Sequence, residues 1–202
     1  MFLERRTFIV KPGCMDEAIH LIKVEIERAH APMRLYTAVY GPFDVLLADS
    51  TAESQEAIEQ GWADWGARPE TPKFMQQWYG VDAGGGTSEL WQEHLGSPDV
   101  SARYVERRTF TVRSGHRNEV VVMIKAEGER PPLFTPGRHG SGYLYTAVYG
   151  IFDTCLLDIC ADDPKAIDEW WHDWAALPST PSYMEKWSSL VVSGKRELWK
   201  QE

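Results

Sequence analysis

Cysteine is scarce in this sequence, with three in 202 residues. Cys14, Cys155 and Cys160 form no CxxC pair, and an odd number cannot make a complete disulfide framework. Cys155 and Cys160 lie in or beside one apolar run, where a free cysteine packs as a small hydrophobic residue. We therefore predict a protein without a disulfide framework, in a reducing, cytoplasmic compartment.

Long apolar runs and an excess of basic residues are also missing. The N-terminal stretch MFLERRTFIV has no long apolar run, so we expect neither a signal peptide nor a membrane-spanning segment. The chain has 21 Lys and Arg against 30 Asp and Glu, a formal net charge of −9. Nucleic-acid-binding proteins need clustered basic side chains to contact phosphates. The acidic balance therefore predicts no nucleic-acid partner.

Motifs for metals, cofactors and the common catalytic centres are absent as well. The six histidines form no HxH, HExxH or Cys-His pattern, and none of them recurs in a second half of the chain. No Ser-His-Asp motif, phosphate-binding loop or dinucleotide fingerprint is present. The sequence thus predicts no metal site and no cofactor.

What the sequence does contain is a repeat. Six motifs occur twice in the same order: ERRTF (4–8 and 106–110), LYTAVYG (35–41 and 144–150), FDVLLAD and FDTCLLD (43–49 and 152–158), AIEQGWADW and AIDEWWHDW (57–65 and 166–174), TPKFMQQW and TPSYMEKW (71–78 and 180–187), and ELW (89–91 and 197–199). A unit of about 100 residues, a usual size for one domain, has been duplicated. We predict one copy at 1–94 and the other at 103–202.

Each copy predicts the element order β-α-β-β-α-β. FLERRTFIV is rich in strand-forming residues, MDEAIHLIKVEIERA has a helical apolar stripe, and MRLYTAVYG with FDVLLADS indicates a hairpin. A second helix and a short third one precede the closing strand that contains ELW. This is the ferredoxin-like unit of an α+β protein. Its helices leave one sheet face uncovered, so we predict that the two antiparallel sheets pack face to face as a barrel within one chain.

The ERRTF strand followed by a Pro-Gly turn, with ELW near the end of the unit, resembles the dimeric α/β-barrel superfamily, and within it NIPSNAP-type domains. The likeness covers both copies. It implies a barrel in which each copy supplies the partner sheet of the other. The superfamily includes cofactor-independent monooxygenases that act on aromatic compounds, haem-containing enzymes and isomerases, and fold membership alone does not choose among them.

The first strand of each copy holds the first candidate site. Side chains alternate between the two faces of a strand, so Glu4 and Arg6 share one face, as do Glu106 and Arg108. We predict that this face points into the barrel, and that Arg5 and Arg107 lie on the helix side or at the strand edge. A neighbouring Glu and Arg could be a structural ion pair, or could anchor an acidic or carbonyl-bearing ligand.

Aromatic residues supply further candidates. Tyr36 and Tyr40 share a strand face, as do Tyr145 and Tyr149, and tyrosines with a polar tip suit either a pocket wall or ordinary core packing. Two tryptophan pairs have i, i+3 spacing in the second helix of each copy and indicate packing: Trp62 with Trp65, and Trp171 with Trp174.

The two copies differ most in the inserted segment PPLFTPGRHGSG, at 131–142. It carries Phe134, Arg138 and His139 between the first helix and the second strand. A loop of this length could act as a lid over the barrel mouth, or could be a surface loop.

Two functions remain open from the sequence. One is a small-molecule-binding barrel with enzyme activity, such as a cofactor-independent monooxygenase or an isomerase that acts on an apolar or aromatic metabolite. The other is a non-catalytic NIPSNAP-like binding or structural module. We expect a small-molecule ligand and no nucleic-acid or membrane partner, in a monomer or a homodimer.

Overall fold

The computed structural model describes residues 1–96, 102–128 and 141–202. The first copy contains β1 (Phe2–Ile9), α1 (Met15–Ala29), β2 (Met33–Tyr40), β3 (Val45–Ala52), α2 (Gln55–Gly66), α3 (Thr71–Val81) and β4 (Thr87–Leu95). The second contains β5 (Tyr104–Val112), α4 (Arg117–Gly128), β6 (Ser141–Tyr149), β7 (Thr154–Ala161), α5 (Pro164–Ala175), α6 (Thr180–Leu190) and β8 (Val191–Gln201). The predicted order of elements is confirmed in both copies.

The strands are hydrogen-bonded in the order β1-β3-β2-β8-β5-β7-β6-β4, which is the order of a closed antiparallel barrel. The predicted fold class is therefore confirmed. By its internal contacts the chain divides into two compact units. Unit 1 comprises Met1–Ala38, Pro42–Trp91 and Glu202, and unit 2 comprises Val39–Gly41 and Gln92–Gln201. In the described part of the chain, no helix is both long enough and apolar enough to cross a membrane.

In unit 1, the helices pack on one face of the strands. Ala18 and Ile22 of α1 and Trp78 of α3 are buried against Leu35 of β2 and Leu46 of β3. The alternation of β2 and β3 places these apolar residues on the same face as Arg6 and Phe8 of β1, because residues paired across neighbouring strands share a face. Every other residue of β1 therefore points towards the helices.

Unit 2 repeats this arrangement with a larger set of buried side chains. Val120 and Ile124 of α4, and Ile167 and Trp170 of α5, are buried in one cluster with Leu144 of β6. Trp170 is 4% exposed. At the corresponding position the first copy has Gly61, which has no side chain to pack there.

The duplicated Thr-Pro motif joins two helices in each unit. Thr71 donates its hydroxyl hydrogen to the carbonyl oxygen of Trp65 at 2.6 Å, and Thr180 donates to that of Trp174 at the same distance. Each threonine thus fixes the start of the following helix against the end of the preceding one, which holds the tryptophan-bearing helices α2 and α5 in place.

One glycine of the GGG run is required by a close approach. A Cβ atom on Gly86 would lie 2.2 Å from the carbonyl oxygen of Thr7, a distance that no side chain can adopt without moving a backbone. Gly86 therefore lets β4 begin directly beside β1. Gly194 stands at the same place in the second copy, where a Cβ would meet Phe110 at 3.1 Å.

Candidate functional site

Glu4 and Arg6 of β1 point towards the helices, so the predicted face is wrong. The indole N–H of Trp62 on α2 donates to Oε2 of Glu4, and the guanidinium carbon of Arg6 lies 3.4 Å from the ring centroid of Trp62. The helix-covered face accommodates both charged groups because Trp62 offers a hydrogen-bond donor to the carboxylate and an aromatic face to the guanidinium.

The same correction applies to Glu106 and Arg108 in unit 2. The guanidinium carbon of Arg108 lies 3.4 Å from the ring centroid of Trp171 on α5, and its Nε donates to Oε1 of Glu106 at 2.7 Å. Burial lowers the pKa of Arg108, and the neighbouring Glu106 opposes that shift. Both copies therefore carry a Glu-Arg pair stacked on a tryptophan of the second helix.

The adjacent arginine of each copy lies on the opposite face, where it forms a buried ion pair. Arg5 donates from Nε and Nη2 to the two carboxylate oxygens of Asp49, at 2.9 and 3.0 Å. Arg107 makes the same two bonds to Asp158, at 2.9 and 2.8 Å. The prediction that Arg5 and Arg107 lie on the helix side or at the strand edge is wrong. The cause is the aspartate of the motif LLAD or CLLD, which is paired with the arginine across the sheet.

The four candidate tyrosines are not brought together with these Glu-Arg pairs. Tyr36 and Tyr145 are 2% exposed, and strand pairing places them on the face opposite to Arg6 and Arg108. Tyr40 and Tyr149, near the hairpin ends, are 71% and 60% exposed. They are not interior residues, because they are the last residues of β2 and β6, where the strand ends are exposed. The lid candidates Phe134, Arg138 and His139 lie outside the described residues.

A cavity of about 490 Å³ lies between the helix-facing side of the strands and the helices of unit 1. Its lining is mostly apolar. The aromatic part of the lining consists of Phe8, Trp62, Trp65, Phe74 and Trp78. Neighbouring ring centroids in this set are 5.0 to 6.1 Å apart, and most pairs meet edge to face. They form a continuous aromatic wall, which the sequence indicated only as helix packing.

The polar end of this cavity is built around Glu4, which is 6% exposed. Its Oε1 accepts from Nε of Arg6 at 2.9 Å and from the hydroxyl of Ser88 at 3.3 Å. Its Oε2 accepts from Trp62 and, at 3.4 Å, from the hydroxyl of Ser50. Donors therefore contact both oxygens of this buried carboxylate, as a buried charge requires.

Arg6 keeps part of its guanidinium available. The side chain is 32% exposed and lines the cavity. Within residues 1–96, 102–128 and 141–202, the hydrogen-bond partner of Arg6 is Glu4, which it reaches through Nε. Its two terminal amino groups can therefore meet an oxygen atom of a bound molecule. Trp62 and Glu4 hold the guanidinium in one orientation, so its terminal amino groups are pre-organised for binding.

A second buried carboxylate lines the same cavity. Glu25 of α1 is 6% exposed. It accepts from the indole N–H of Trp65 at 2.9 Å and from Nη1 of Arg28 at 2.7 Å. Trp62 and Trp65 are three residues apart on α2, and each donates to a different glutamate. The WxxW motif thus forms both the aromatic wall and the hydrogen bonds that hold the acids.

The corresponding cavity of unit 2 is smaller, at about 150 Å³. Arg108, Phe110, Trp170, Trp171, Trp174 and Trp187 are among the side chains that line it. Glu106, the partner of Arg108, is fully buried. It is bound by a second arginine, Arg196, whose Nε lies 2.7 Å from Oε2 of Glu106. The two copies therefore share the Glu-Arg-Trp arrangement and differ in the space beside it.

A larger groove, of about 630 Å³, runs between α4 and α6 of unit 2. Two of its lining residues form an ion pair, since Lys186 lies 3.0 Å from Glu119, and His116 lies 3.2 Å from the same glutamate. Glu127 is a buried carboxylate of the lining, but no arginine is among the described residues that line the groove. Across the described residues, no group of three or more His, Cys, Asp or Glu side chains is placed to hold a metal ion.

Comparison with known proteins finds similar solved structures. Neither a protein-family profile nor a curated protein sequence matches the chain. A candidate monooxygenase from Lactobacillus acidophilus is 9% identical, with a TM-score of 0.72 over 99% of this chain and 93% of its own. One from Fusobacterium nucleatum is 11% identical, with a TM-score of 0.70 over 99% of this chain and 91% of its own. A NIPSNAP domain protein from Burkholderia xenovorans is 16% identical over 49% of this chain and 100% of its own, with a TM-score of 0.44.

At these identities the likeness concerns the fold. Both of these monooxygenase-like structures match along nearly the whole chain, which has the closed α/β-barrel fold.

Proposed function

We propose that unit 1 binds a small apolar or aromatic molecule that carries an anionic or carbonyl oxygen. The observation that carries this proposal is the cavity of about 490 Å³, whose aromatic wall ends at Arg6. Cavities of about 300–1,000 Å³ with a mostly apolar lining and a few converging polar groups are typical of small-molecule sites. The ring system of the ligand would pack against Trp65, Phe74 and Trp78.

Arg6 would bind the oxygen of this ligand. A planar guanidinium binds a carboxylate through two parallel hydrogen bonds. Because Glu4 and Trp62 already fix its orientation, little conformational entropy is lost when the ligand binds. Glu4 is then a positioning residue, since donors contact both of its oxygens before any ligand arrives.

A reaction at this site is a second proposal: cofactor-independent oxygenation or isomerisation of an aromatic metabolite. It is supported by the two solved structures that are similar along the whole chain and are described as candidate monooxygenases. Fold similarity does not by itself carry an activity. The alternative is a non-catalytic module that releases its ligand unchanged, or a structural protein.

Calorimetric titration with two matched probes tests the binding proposal. The probes are 2-naphthoate, which has an anionic oxygen, and 2-naphthalenemethanol, which has the same rings without the charge. We expect the wild-type protein to prefer 2-naphthoate, and Arg6→Gln to raise the Kd for 2-naphthoate about 10- to 100-fold, because one charge-assisted bidentate contact is lost. The Kd for the neutral probe should change little.

Arg113→Gln, at an exposed position of unit 2, is the matched control and should leave both Kd values unchanged. Far-ultraviolet circular dichroism checks that Arg6→Gln is folded. Equal weakening of both probes by Arg6→Gln would remove the proposed role of the guanidinium, and a wild-type protein that binds neither probe would remove the proposed function.

The reaction proposal has a separate test. A panel of multi-ring phenols is incubated with the protein, with dissolved oxygen followed by electrode and products followed by mass spectrometry. Oxygenation predicts oxygen uptake and a product of increased mass, and isomerisation predicts a product of unchanged mass with a new retention time. Phenols that bind and return unaltered would assign the site to a binding module.

A further inference from the structure

We infer that ligand binding is confined to unit 1, and that Gly61 is the residue that admits a multi-ring molecule there. This inference rests on the proposed function and adds to it the number of sites and the size of the ligand. It is drawn from three positions at which the two copies of one site differ. These are Gly61 against Trp170, Ser50 against Ile159, and Ser88 against Arg196.

The first difference decides how much space remains under the second helix. Gly61 lines the unit 1 cavity, and a Cβ atom built on it would meet nothing within 4 Å. At the same position in unit 2, Trp170 is 4% exposed and belongs to the core. Its ring meets that of Trp171 edge to face, with 4.4 Å between centroids. An indole thus fills in unit 2 the space that glycine leaves open in unit 1.

The second difference lies on the third strand of each copy. Ser50 lines the unit 1 cavity, and its hydroxyl is directed to Glu4. Ile159 is fully buried in the core of unit 2. Isoleucine has a larger side chain and no donor, so it adds bulk beside the Glu-Arg pair and removes one of its polar neighbours.

The third difference changes the partners of the buried glutamate. In unit 1, Ser88 makes only a 3.3 Å contact to Glu4. In unit 2, Arg196 binds Oε2 of Glu106 through both Nε and Nη2. That is the oxygen which a tryptophan contacts in unit 1. Among the described residues, Nε1 of Trp171 is buried and has no hydrogen-bond partner, which is explained if Arg196 has taken its acceptor.

The two volumes set the size of molecule that each unit can hold. A cavity of about 150 Å³ holds a benzene-sized molecule, and that is the volume left in unit 2. The unit 1 cavity, at about 490 Å³, falls in the range of sites for larger ligands. We therefore expect one multi-ring molecule per chain, held in unit 1.

Calorimetric titration with 2-naphthoate tests this inference through the stoichiometry and one substitution. The wild-type protein should bind one molecule per chain. Gly61→Trp, which introduces the residue that unit 2 carries, should raise the Kd more than tenfold. Ala63→Trp places the same side chain on an exposed position of the same helix and is the matched control, with an unchanged Kd.

A second variant tests the closed state of unit 2. Trp170→Gly combined with Ile159→Ser and Arg196→Ser gives unit 2 the residues of unit 1, and should raise the stoichiometry to two. If this variant does not fold, the Kd of Gly61→Trp still tests the inference. That variant is expected to fold, because a Cβ atom at position 61 meets nothing within 4 Å.

Each outcome of the titration has one meaning. One site that Gly61→Trp removes and Ala63→Trp retains supports the inference. Two sites per chain in the wild-type protein, or one site that Gly61→Trp leaves intact, overturn the inference while the proposed function stands. No binding to the wild-type protein overturns the proposed function, and the inference with it.

Discussion

Two adjacent arginines in one strand have different tasks because a strand sends neighbouring side chains to opposite faces. Arg5 is held by both oxygens of Asp49 and is almost fully buried. Arg6 is held through one nitrogen by Glu4 and stays 32% exposed. The charge of Arg5 is neutralised within the fold by Asp49. The terminal amino groups of Arg6 are left for a ligand. The ERRTF motif therefore combines a structural arginine with a candidate binding arginine.

The structural task of Arg5 predicts a large effect on stability. Asp49→Ala should lower the free energy of unfolding by about 3–5 kcal/mol, because it leaves a buried guanidinium without its main carboxylate. Asp16→Ala, on the exposed first turn of α1, should cost less than about 1 kcal/mol. Urea denaturation followed by tryptophan fluorescence measures both.

A double variant separates loss of the pair from loss of its charges. Arg5→Met with Asp49→Leu should recover most of the lost stability, since apolar residues of similar volume often replace a buried ion pair without cost. If Asp49→Ala is as stable as the wild-type protein, the pair has no structural role.

At the scale of elements, the sequence predicted more about order than about orientation. Strand and helix order followed from apolar periodicity, and the short third helix followed from the Thr-Pro motif. The face of β1 was predicted wrongly, because periodicity says which residues share a face and not which face the helices cover. That choice depends on Trp62, 58 residues further on. The aligned motifs do show the residues that differ beside the two Glu-Arg pairs, since Gly61 aligns with Trp170 and Ser88 aligns with Arg196.

Strand β7 allows a test of burial through its thiols. Burial raises the pKa of Cys155 to about 11 from an ordinary value of 9.0, with Arg117 opposing the shift and Asp153 adding to it. Cys160 is also buried, whereas Cys14 is partly exposed. At pH 8 we expect a thiol reagent to label one cysteine per native chain quickly, and all three after unfolding in guanidinium. Cys14→Ser should remove the fast reaction.

The sign of the pH effect follows from the raised pKa of Cys155. The folded protein favours the protonated thiol, so this contribution to stability is complete below the ordinary value and is lost as the pH rises through about 11. Labelling of Cys155 should therefore speed up only in strongly alkaline solution. Rapid labelling of all three thiols at pH 8 would contradict the packing of β7.

At the scale of the whole molecule, the two copies of the repeated motifs share one side-chain arrangement and differ in the space beside it. Both keep the Glu-Arg pair stacked on tryptophan, and both keep the bidentate Arg-Asp pair on the opposite face. One copy has a cavity of about 490 Å³ beside the first pair, and the other has a cavity of about 150 Å³. The sequence could predict the barrel fold, since the repeated motifs indicate two sheets of the same element order. It could not predict the cavity, because its volume depends on how side chains from six elements pack together.

The most direct measurement is a crystal structure of the protein grown with 2-naphthoate. We expect one ligand per chain, with its rings against Trp65 and Trp78 and its carboxylate about 3 Å from the terminal amino groups of Arg6. A ligand bound outside the unit 1 cavity, or a carboxylate turned away from Arg6, would contradict this expectation. So would a cavity that the protein's own side chains fill in the crystal.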